Sequence, residues 1–466
     1  MEFIDRGDEQ RLLRRALDAD GSKFIVIYGR RRLGKSTLIK RVLKNTDVYF
    51  EAGLNERAVQ IAMMARAVAT VYERFDAPIY NDWEDAIMAF SERCEKNSTL
   101  VLDEFPYMVG KDTALPSALQ RMIDSGKLRC NIIVCGSSQR MMQKIILDSS
   151  EPLYGRADVK LNLRPILPQY WGQAMGLGAK AAVEEYSVWG GVPRYWNLRE
   201  GYESLNDAVH DLILSEHGVL FNEPNSLFLD DTADIAPYSS IMTAIGHGNQ
   251  RYSSIAEAIG KKTAELYKPM GNLVEMHYVR REVPFGENDE KSKKTLYKID
   301  DPFMAFYYKF VEPNKSAIAI GRTDYVGGIL ERDFPMHIAG VWERLCQVAV
   351  SGNRLFGHTW KMAGRWWGKA PIFEAGRKTP AGFEDLEFDV VAEDFDDKNT
   401  ILVGECKWAS ADYADRLLEK LKHKVGIAPF AQGKNVVYAL FLREKPLSTA
   451  ACATMLPEDV LHNLPE

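Results

Sequence analysis

Residues 29–37 read GRRRLGKST. They fit the spacing G-x-x-x-x-G-K-[ST], with Gly29, Gly34, Lys35 and Ser36 at the defining positions. Arg30, Arg31, Arg32, Leu33 and Thr37 complete the loop. Just before it, residues 23–28 (KFIVIY) form a short apolar run that reads as a buried parallel strand. Just after it, Leu38, Ile39, Val42 and Leu43 fall on one helical face, and Asn45 offers a stop. In a chain of this length a chance match has a probability of about 2%, and requiring both flanks lowers it further. Glycines at these places let backbone N–H groups turn inward around phosphate oxygens, and the helix start adds the positive end of its dipole. Lys35 is expected to reach the β- and γ-phosphates, and Ser36 to offer its hydroxyl to Mg²⁺. The expected ligands are therefore ATP or ADP, with Mg²⁺, held by residues 29–37.

Residues 98–104 (STLVLDE) form an apolar strand ending in two acids. At the C-terminal edge of a doubly wound sheet such a carboxylate lies beside the phosphate loop. Asp103 is expected to hold Mg²⁺, directly or through water, and Glu104 to polarise the attacking water. A third strand, residues 131–136 (NIIVCG), ends in Ser137 and Ser138. Ser137 can touch the γ-phosphate or the attacking water; it can equally be a helix cap or turn serine.

The run FIDRGDEQRLLRRAL, GRRRLGKST, LVLDEFPYM, CGSSQRMM, PLYGRAD and WGGVPRYW occurs in that order. It resembles the archaeal-type ATPase family of the AAA+ superfamily, related to STAND and origin-recognition ATPases. The resemblance covers essentially the whole chain. It implies a five-stranded core with the third strand between the phosphate-loop strand and the acidic strand. It also implies an arginine finger on the γ-phosphate, for which Arg156 is the match; a surface ion pair is the plainer reading. Pro193, in the Gly190–Pro193 segment, matches a lid residue near the base or ribose, although a simple glycine–proline turn reads the same. Arg6, in the N-terminal arm, is a further candidate for nucleotide contact.

The chain has 466 residues, 46% hydrophobic and 27% charged, with a formal net charge of −6. That is ordinary globular composition and excludes disordered, collagen-like and rod-like chains. No apolar run is long enough for a membrane-spanning helix, and the start has no signal-peptide pattern. Six cysteines without a C-x-x-C pair argue against a disulfide framework or a zinc site, and for reduced thiols in a cytoplasmic protein. Net acidity excludes a globally basic nucleic-acid footprint, so DNA contact would rest on local patches.

Residues 166–235 read as a helical lid and a linker, with an acid- and proline-rich connecting arm at 222–237. Residues 236–315 carry helices and then two β-rich stretches around the polar loop FGENDEKSK, a winged-helix outline. Lys261, Lys262 and Lys268 on its second helix, and Lys291, Lys293 and Lys294 in the wing, are placed for DNA phosphates. Neighbouring acids dilute that charge, so a structural or autoinhibitory role stays open.

In residues 316–466, a helix at 338–350 carries Glu343. Strands at 386–395 (LEFDVVAEDF) and 400–408 (TILVGECKW) follow, then a helix around 411–424. By the period of two, Ile401, Val403, Glu405 and Lys407 share a face. Asp389, Glu405 and Lys407 fit the D…E-x-K pattern of the PD-(D/E)xK nuclease-like superfamily, with Glu343 as an extra acid. Carboxylates of this kind hold Mg²⁺, and the lysine positions water or neutralises a phosphate. Three other [DE]-x-K matches, at 158/160, 289/291 and 396/398, lack that context. GRWWGK at 364–369 and GECKW at 404–408 resemble the domain of unknown function that accompanies this ATPase family. Trp366 and Trp367 read as core or interface residues rather than base-stacking ones.

The expected fold is α/β: a P-loop core over 1–165, the lid and linker, the winged helix, and a restriction-endonuclease-like α/β domain. The expected function is an ATPase whose nucleotide state controls a region acting on, or binding, nucleic acid. The alternative is a STAND-like switch with a catalytically inactive C-terminal domain. A finger acting in trans would need a homo-oligomer.

Overall fold

The computed structural model describes residues 4–232, 234–372, 380, 382–409 and 413–465. Met1 to Phe3, and with them the first residue of the FIDRG motif, lie outside the described residues, as do positions 411 and 412.

The first sheet holds β1 (Phe24–Tyr28), β2 (Val48–Glu51), β3 (Thr99–Asp103), β4 (Asn131–Gly136) and β5 (Val159–Asn162), in the order β2-β3-β4-β1-β5. Every pairing is parallel. β4 therefore lies between the loop-bearing β1 and the acid-bearing β3, as expected. The residues of β1, β3 and β4 are all buried, which explains their unbroken apolar runs. Helices cover both faces, so the C-terminal strand ends make the crevice where ligands bind in such sheets.

The helices Pro168–Met175, Ala179–Trp189, Pro193–Arg199 and Leu205–Leu212 occupy the segment expected from the sequence to be a lid, and are called the lid helices. Trp171 stacks on Trp196 with ring centroids 3.9 Å apart, and the buried Arg199 holds Glu185 at 2.7 Å. Gly191 is required where the lid meets the core: a Cβ there would stand 2.1 Å from the Ile166 carbonyl oxygen. The sequence led us to expect a connecting arm at 222–237. Instead, Glu223–Leu229 is a helix, and its Pro224 is tolerated because it stands in the first turn.

Three helices follow, Ala236–Gly246, Tyr252–Ala258 and Thr263–Glu275, then the antiparallel hairpin β6 (Val279–Glu282) and β7 (Leu296–Ile299). A 28-residue helix, Thr323–Val350, leads to the last unit. It is longer than the expected 338–350 segment and passes through Pro335. A two-residue pair, β8 (Arg354–Leu355) and β9 (His358–Thr359), precedes the second large sheet. That sheet runs β10 (Gly364–Ile372), β11 (Gly382–Glu393), β12 (Thr400–Lys407), β13 (Asn435–Leu442) and β14 (Ala453–Met455), in sequence order. The first two pairings are antiparallel and the last two parallel. The helix Ala414–Ile427 lies between β12 and β13, slightly later than the expected 411–424.

The tail beyond Leu447 carries no readable pattern, yet it closes the molecule. β14 completes the sheet, and the helix Pro457–His462 packs on the lid helix Ala179–Trp189. Gln169 of the lid donates to the Pro465 carbonyl at 2.9 Å. Among the described residues, no helix is long and apolar enough to cross a membrane, and all six cysteines are free thiols.

Candidate functional site

The loop after β1 changes direction through left-handed backbone at Arg32 (φ 69°) and Gly34 (φ 88°), and Gly29 also has positive φ. Gly29 passes so close to β5 that a Cβ would stand 2.6 Å from the Leu163 carbonyl oxygen. Such a run turns successive amides toward one concavity, a nest for anions, and the helix Lys35–Val42 begins there. Lys35 is buried. Its Nζ donates to the carbonyls of Gly29 (2.8 Å) and Arg30 (3.1 Å), and burial pushes its pKa down.

The acidic strand end meets this loop. Ser36 Oγ donates to Asp103 Oδ2 at 2.8 Å, and the Tyr49 hydroxyl donates to the same oxygen. The hydroxyl and carboxylate expected at a Mg²⁺ site are thus adjacent, and the donor set fits a hard cation. Glu104 adopts a left-handed conformation (φ 52°) at the turn into the next helix. A non-glycine residue held there stores strain, which concentrates at functional positions. Ser137 Oγ donates to Glu104 Oε1 at 2.6 Å. Ser137 therefore orients Glu104, while the helix cap is supplied by Ser138, which accepts from Met141 N.

A smaller cavity of about 180 Å³ lies beyond the loop. Arg6, Leu33, Gly34, Thr37 and Pro193 line it together with Ile4, Arg41, Ile166, Trp196 and Asn197. The N-terminal arm, the loop and the segment carrying Pro193 thus converge on this cavity, while the Arg6 guanidinium is engaged by Glu9 at 3.0 Å and by the Arg164 carbonyl. Trp196 and Ile166 were not legible beforehand; their only signal was position next to WGGVP and after β5.

One expectation fails within a single chain. Arg156 does not reach the phosphate loop. Its guanidinium bonds both oxygens of Asp124 at 2.8 Å, on the exposed surface. Asp158, two residues on, pairs with Phe24 at the start of β1, so Arg156 sits at the opposite edge of the sheet. The side chains of Arg30, Arg31 and Arg32 are each tied to a carboxylate outside the loop. Arg30 pairs with Asp301 at 2.9 Å with both groups buried, Arg31 with Asp230 at 3.2 Å, and Arg32 with Glu223. The backbone of these arginines belongs to the nest, while their side chains are held by these carboxylates. Each partner belongs to a later segment: Glu223 and Asp230 to the helix after the lid, and Asp301 to the turn after β7. Asp231 accepts from Ser138 Oγ at 2.9 Å, and burial raises its pKa to about 6.

In the second sheet, Asp389 on β11 accepts from Cys406 N at 2.8 Å. Burial raises its pKa to about 7, helped by Glu343 and Glu405. Glu405 on β12 holds Lys407 at 2.7 Å and, from the following helix, Lys424 at 3.0 Å. Despite burial, these two lysines lower its pKa. Lys424 had no spacing signal; it arrives through the fold. The residues expected at a metal site therefore approach one another. However, among the described residues no three His, Cys, Asp or Glu side chains converge to hold a metal ion. Asp389 Oδ2 is engaged by the Cys406 amide and both Glu405 oxygens by ammonium groups. Trp366 is buried against Phe388 and Phe430, as expected of a core residue.

Residues 3–196 match the family described as an ATPase domain predominantly from Archaea, and residues 307–420 a family of archaeal and bacterial proteins of unknown function. An uncharacterized protein of Methanocaldococcus jannaschii is 29% identical over 429 residues, 90% of each chain. An uncharacterized ATP-binding protein of the same organism is 39% identical over 46 residues, 10% of this chain and 78% of that one. Among solved structures, a Walker-type ATPase of Pyrococcus abyssi aligns with a TM-score of 0.49 at 18% identity, over 66% of this chain and 96% of that one.

Proposed function

This chain is an ATPase, its residues 3–196 belonging to the predominantly archaeal ATPase-domain family, and from that premise we propose that its nucleotide state governs a C-terminal region that binds nucleic acid. Lys35 exchanges the Gly29 and Arg30 carbonyls for the β- and γ-phosphates. Ser36 and Asp103 would hold Mg²⁺, which would neutralise phosphate charge there. Glu104, aimed by Ser137, positions the attacking water. Ile166, Pro193 and Trp196 face the base, and Arg6 lies beside them in the same cavity.

The observation that carries the regulatory part is the set of three ion pairs from Arg30, Arg31 and Arg32. Any rearrangement of the loop around phosphate moves groups that grip the segment after the lid and the turn after β7. The test is limited proteolysis of the full chain with ADP–Mg²⁺ and with a non-hydrolysable ATP analogue. Different cleavage beyond residue 220 supports the coupling, and identical patterns refute it.

The nucleic-acid part rests on the helix Thr263–Glu275. Lys262, Lys268 and Tyr267 are exposed on it or at its start, and Tyr267 is 81% exposed. The hairpin base is otherwise engaged: Glu282 holds Arg365 of β10 at 3.1 Å, and Phe285 N donates to the Arg365 carbonyl at 2.8 Å. The three helices and hairpin therefore act as a winged helix presenting its third helix, with its wing base used for protein contact.

A second reading, cleavage through Asp389, Glu405 and Lys407, is favoured by their approach at adjacent strand positions. A Mg²⁺- or Mn²⁺-dependent assay on single- and double-stranded DNA and RNA separates the two. Cutting by the native chain that Glu405→Ala abolishes establishes the second reading. Binding without cutting leaves the first.

A further inference from the structure

A cavity of about 450 Å³ opens between the lid, the three-helix-and-hairpin unit and the long helix Thr323–Val350. It is separate from the phosphate loop and from the β11–β12 acids. Its volume falls among small-molecule sites, about 300–1,000 Å³. Leu167, Ile245 and Val348 contribute apolar wall.

The charges around it do not balance. Arg164, Arg280, Lys298, Lys309 and Arg344 line the cavity, against Asp300 and Asp301. Arg280 is held by Glu282 and Asp300, Lys298 by Glu282, and Asp301 by Arg30. Lys309, Arg344 and the exposed Arg164 have no ion pair among the described residues. Lys309 lies 5.1 Å from the centre of the Phe310 ring and donates to the Asp333 carbonyl at a long 3.5 Å. Arg344 is half-buried, and among the described residues its guanidinium makes no hydrogen bond or ion pair. Burial pushes its pKa down, opposed by Asp300 and Glu282, which already serve Arg280 and Lys298, and a desolvated cation without a hydrogen-bonded partner is costly to keep. Arg344 and Lys309 in the wall, with the exposed Arg164 at the rim, leave the hollow more positive than negative, the complement of an anion with an apolar body.

We propose that this cavity binds a small organic anion, an apolar body carrying a phosphate or carboxylate, gripped by Arg344 with Lys309 and Arg164. Its wall includes Asp301, the partner of the phosphate-loop residue Arg30, so the occupant lies one ion pair away from the nucleotide site. The reading is independent of what the C-terminal region binds.

The test uses the full chain saturated with ADP–Mg²⁺, so that the nucleotide site is closed to the probe. Titration with 8-anilinonaphthalene-1-sulfonate, an aromatic anion, is expected to show one saturable fluorescent site per chain. Arg344→Met weakens it tenfold or more, and Arg344→Lys restores part of the loss. Arg332→Met, which alters an exposed arginine on the same helix paired with Asp333, leaves it unchanged. Lys309→Met, at the other wall, decides the matter if Arg344→Met fails to fold. Displacement by uridine monophosphate but not benzoate assigns a phosphate head, and the reverse a carboxylate head. Displacement by neither, or a signal unchanged in both Arg344→Met and Lys309→Met, overturns the proposal.

Discussion

Lys35 concentrates the nucleotide chemistry in one side chain. Replacing it with alanine removes the ammonium from a loop otherwise built of backbone donors, and ATP binding measured by isothermal titration is expected to vanish. Unchanged affinity would refute the site assignment. Glu104→Gln keeps the shape and the Ser137 hydrogen bond but loses the base. Binding should persist while steady-state hydrolysis falls by about 10²–10⁴-fold, the usual contribution of general base catalysis. Arg156 supplies a contrast. Because it pairs with Asp124 at the far edge of the sheet, Arg156→Ala is expected to leave per-chain hydrolysis essentially unchanged at protein concentrations where the chain is monomeric. A large loss there would require the finger role that the geometry denies it within one chain.

At the scale of elements, the informative feature is how the segment after the lid grips the core. Asp301 caps the helix Pro302–Phe306 by accepting from Met304 N at 2.8 Å while holding Arg30. Asp301→Asn can keep the cap but leaves a buried guanidinium unpaired, at a cost of about 3–5 kcal/mol, readable as a lower midpoint in urea unfolding. Asp231 gives a pH signature. Its pKa rises on folding to about 6 from an ordinary 3.8, so the folded state binds the proton more tightly than the unfolded chain. Its contribution is fully present below pH about 4 and is lost as pH rises through about 6, by on the order of 2–3 kcal/mol. Asp231→Asn carries no such proton. The stability difference between variant and native chain should therefore shift in the variant's favour from pH 4 to pH 7. A pH-independent difference would remove Asp231 from the docking account.

Across the whole molecule, the last residues return to the first domains. β14 and the helix after it bind the second sheet to the lid, so the lid, the hairpin and the C-terminal unit meet around the larger cavity. Nucleic-acid binding is the property that tests this scale. Exchanging Lys262 and Lys268 for alanine should weaken binding across all sequences alike. It should lower the slope of log affinity against log salt by about two, one for each phosphate no longer neutralised. A fluorescence anisotropy titration at several salt concentrations reads both effects. An unchanged slope would move the binding surface elsewhere.

The order of the first domain was written in the chain. The loop at 29–37, the acids ending residues 98–104 and the serine after residue 136 each follow a buried apolar strand, and parallel packing places all three strand ends along one edge. Gly29 and Gly34 were legible because only glycine takes such turns at low cost. Local patterns of this kind cannot say where a long charged side chain ends. Arg30, Arg31 and Arg32 sit inside the phosphate motif, yet their partners lie about 190 to 270 residues away. Lys424 reaches Glu405 from another helix, and Arg344 lines a hollow that exists only once three domains have met. Sequence spacing determined the backbone that surrounds phosphate, because hydrogen-bond geometry and strand burial are local or periodic. Tertiary structure decided which charges are answered and which are left open, because charge pairing depends on distance in space.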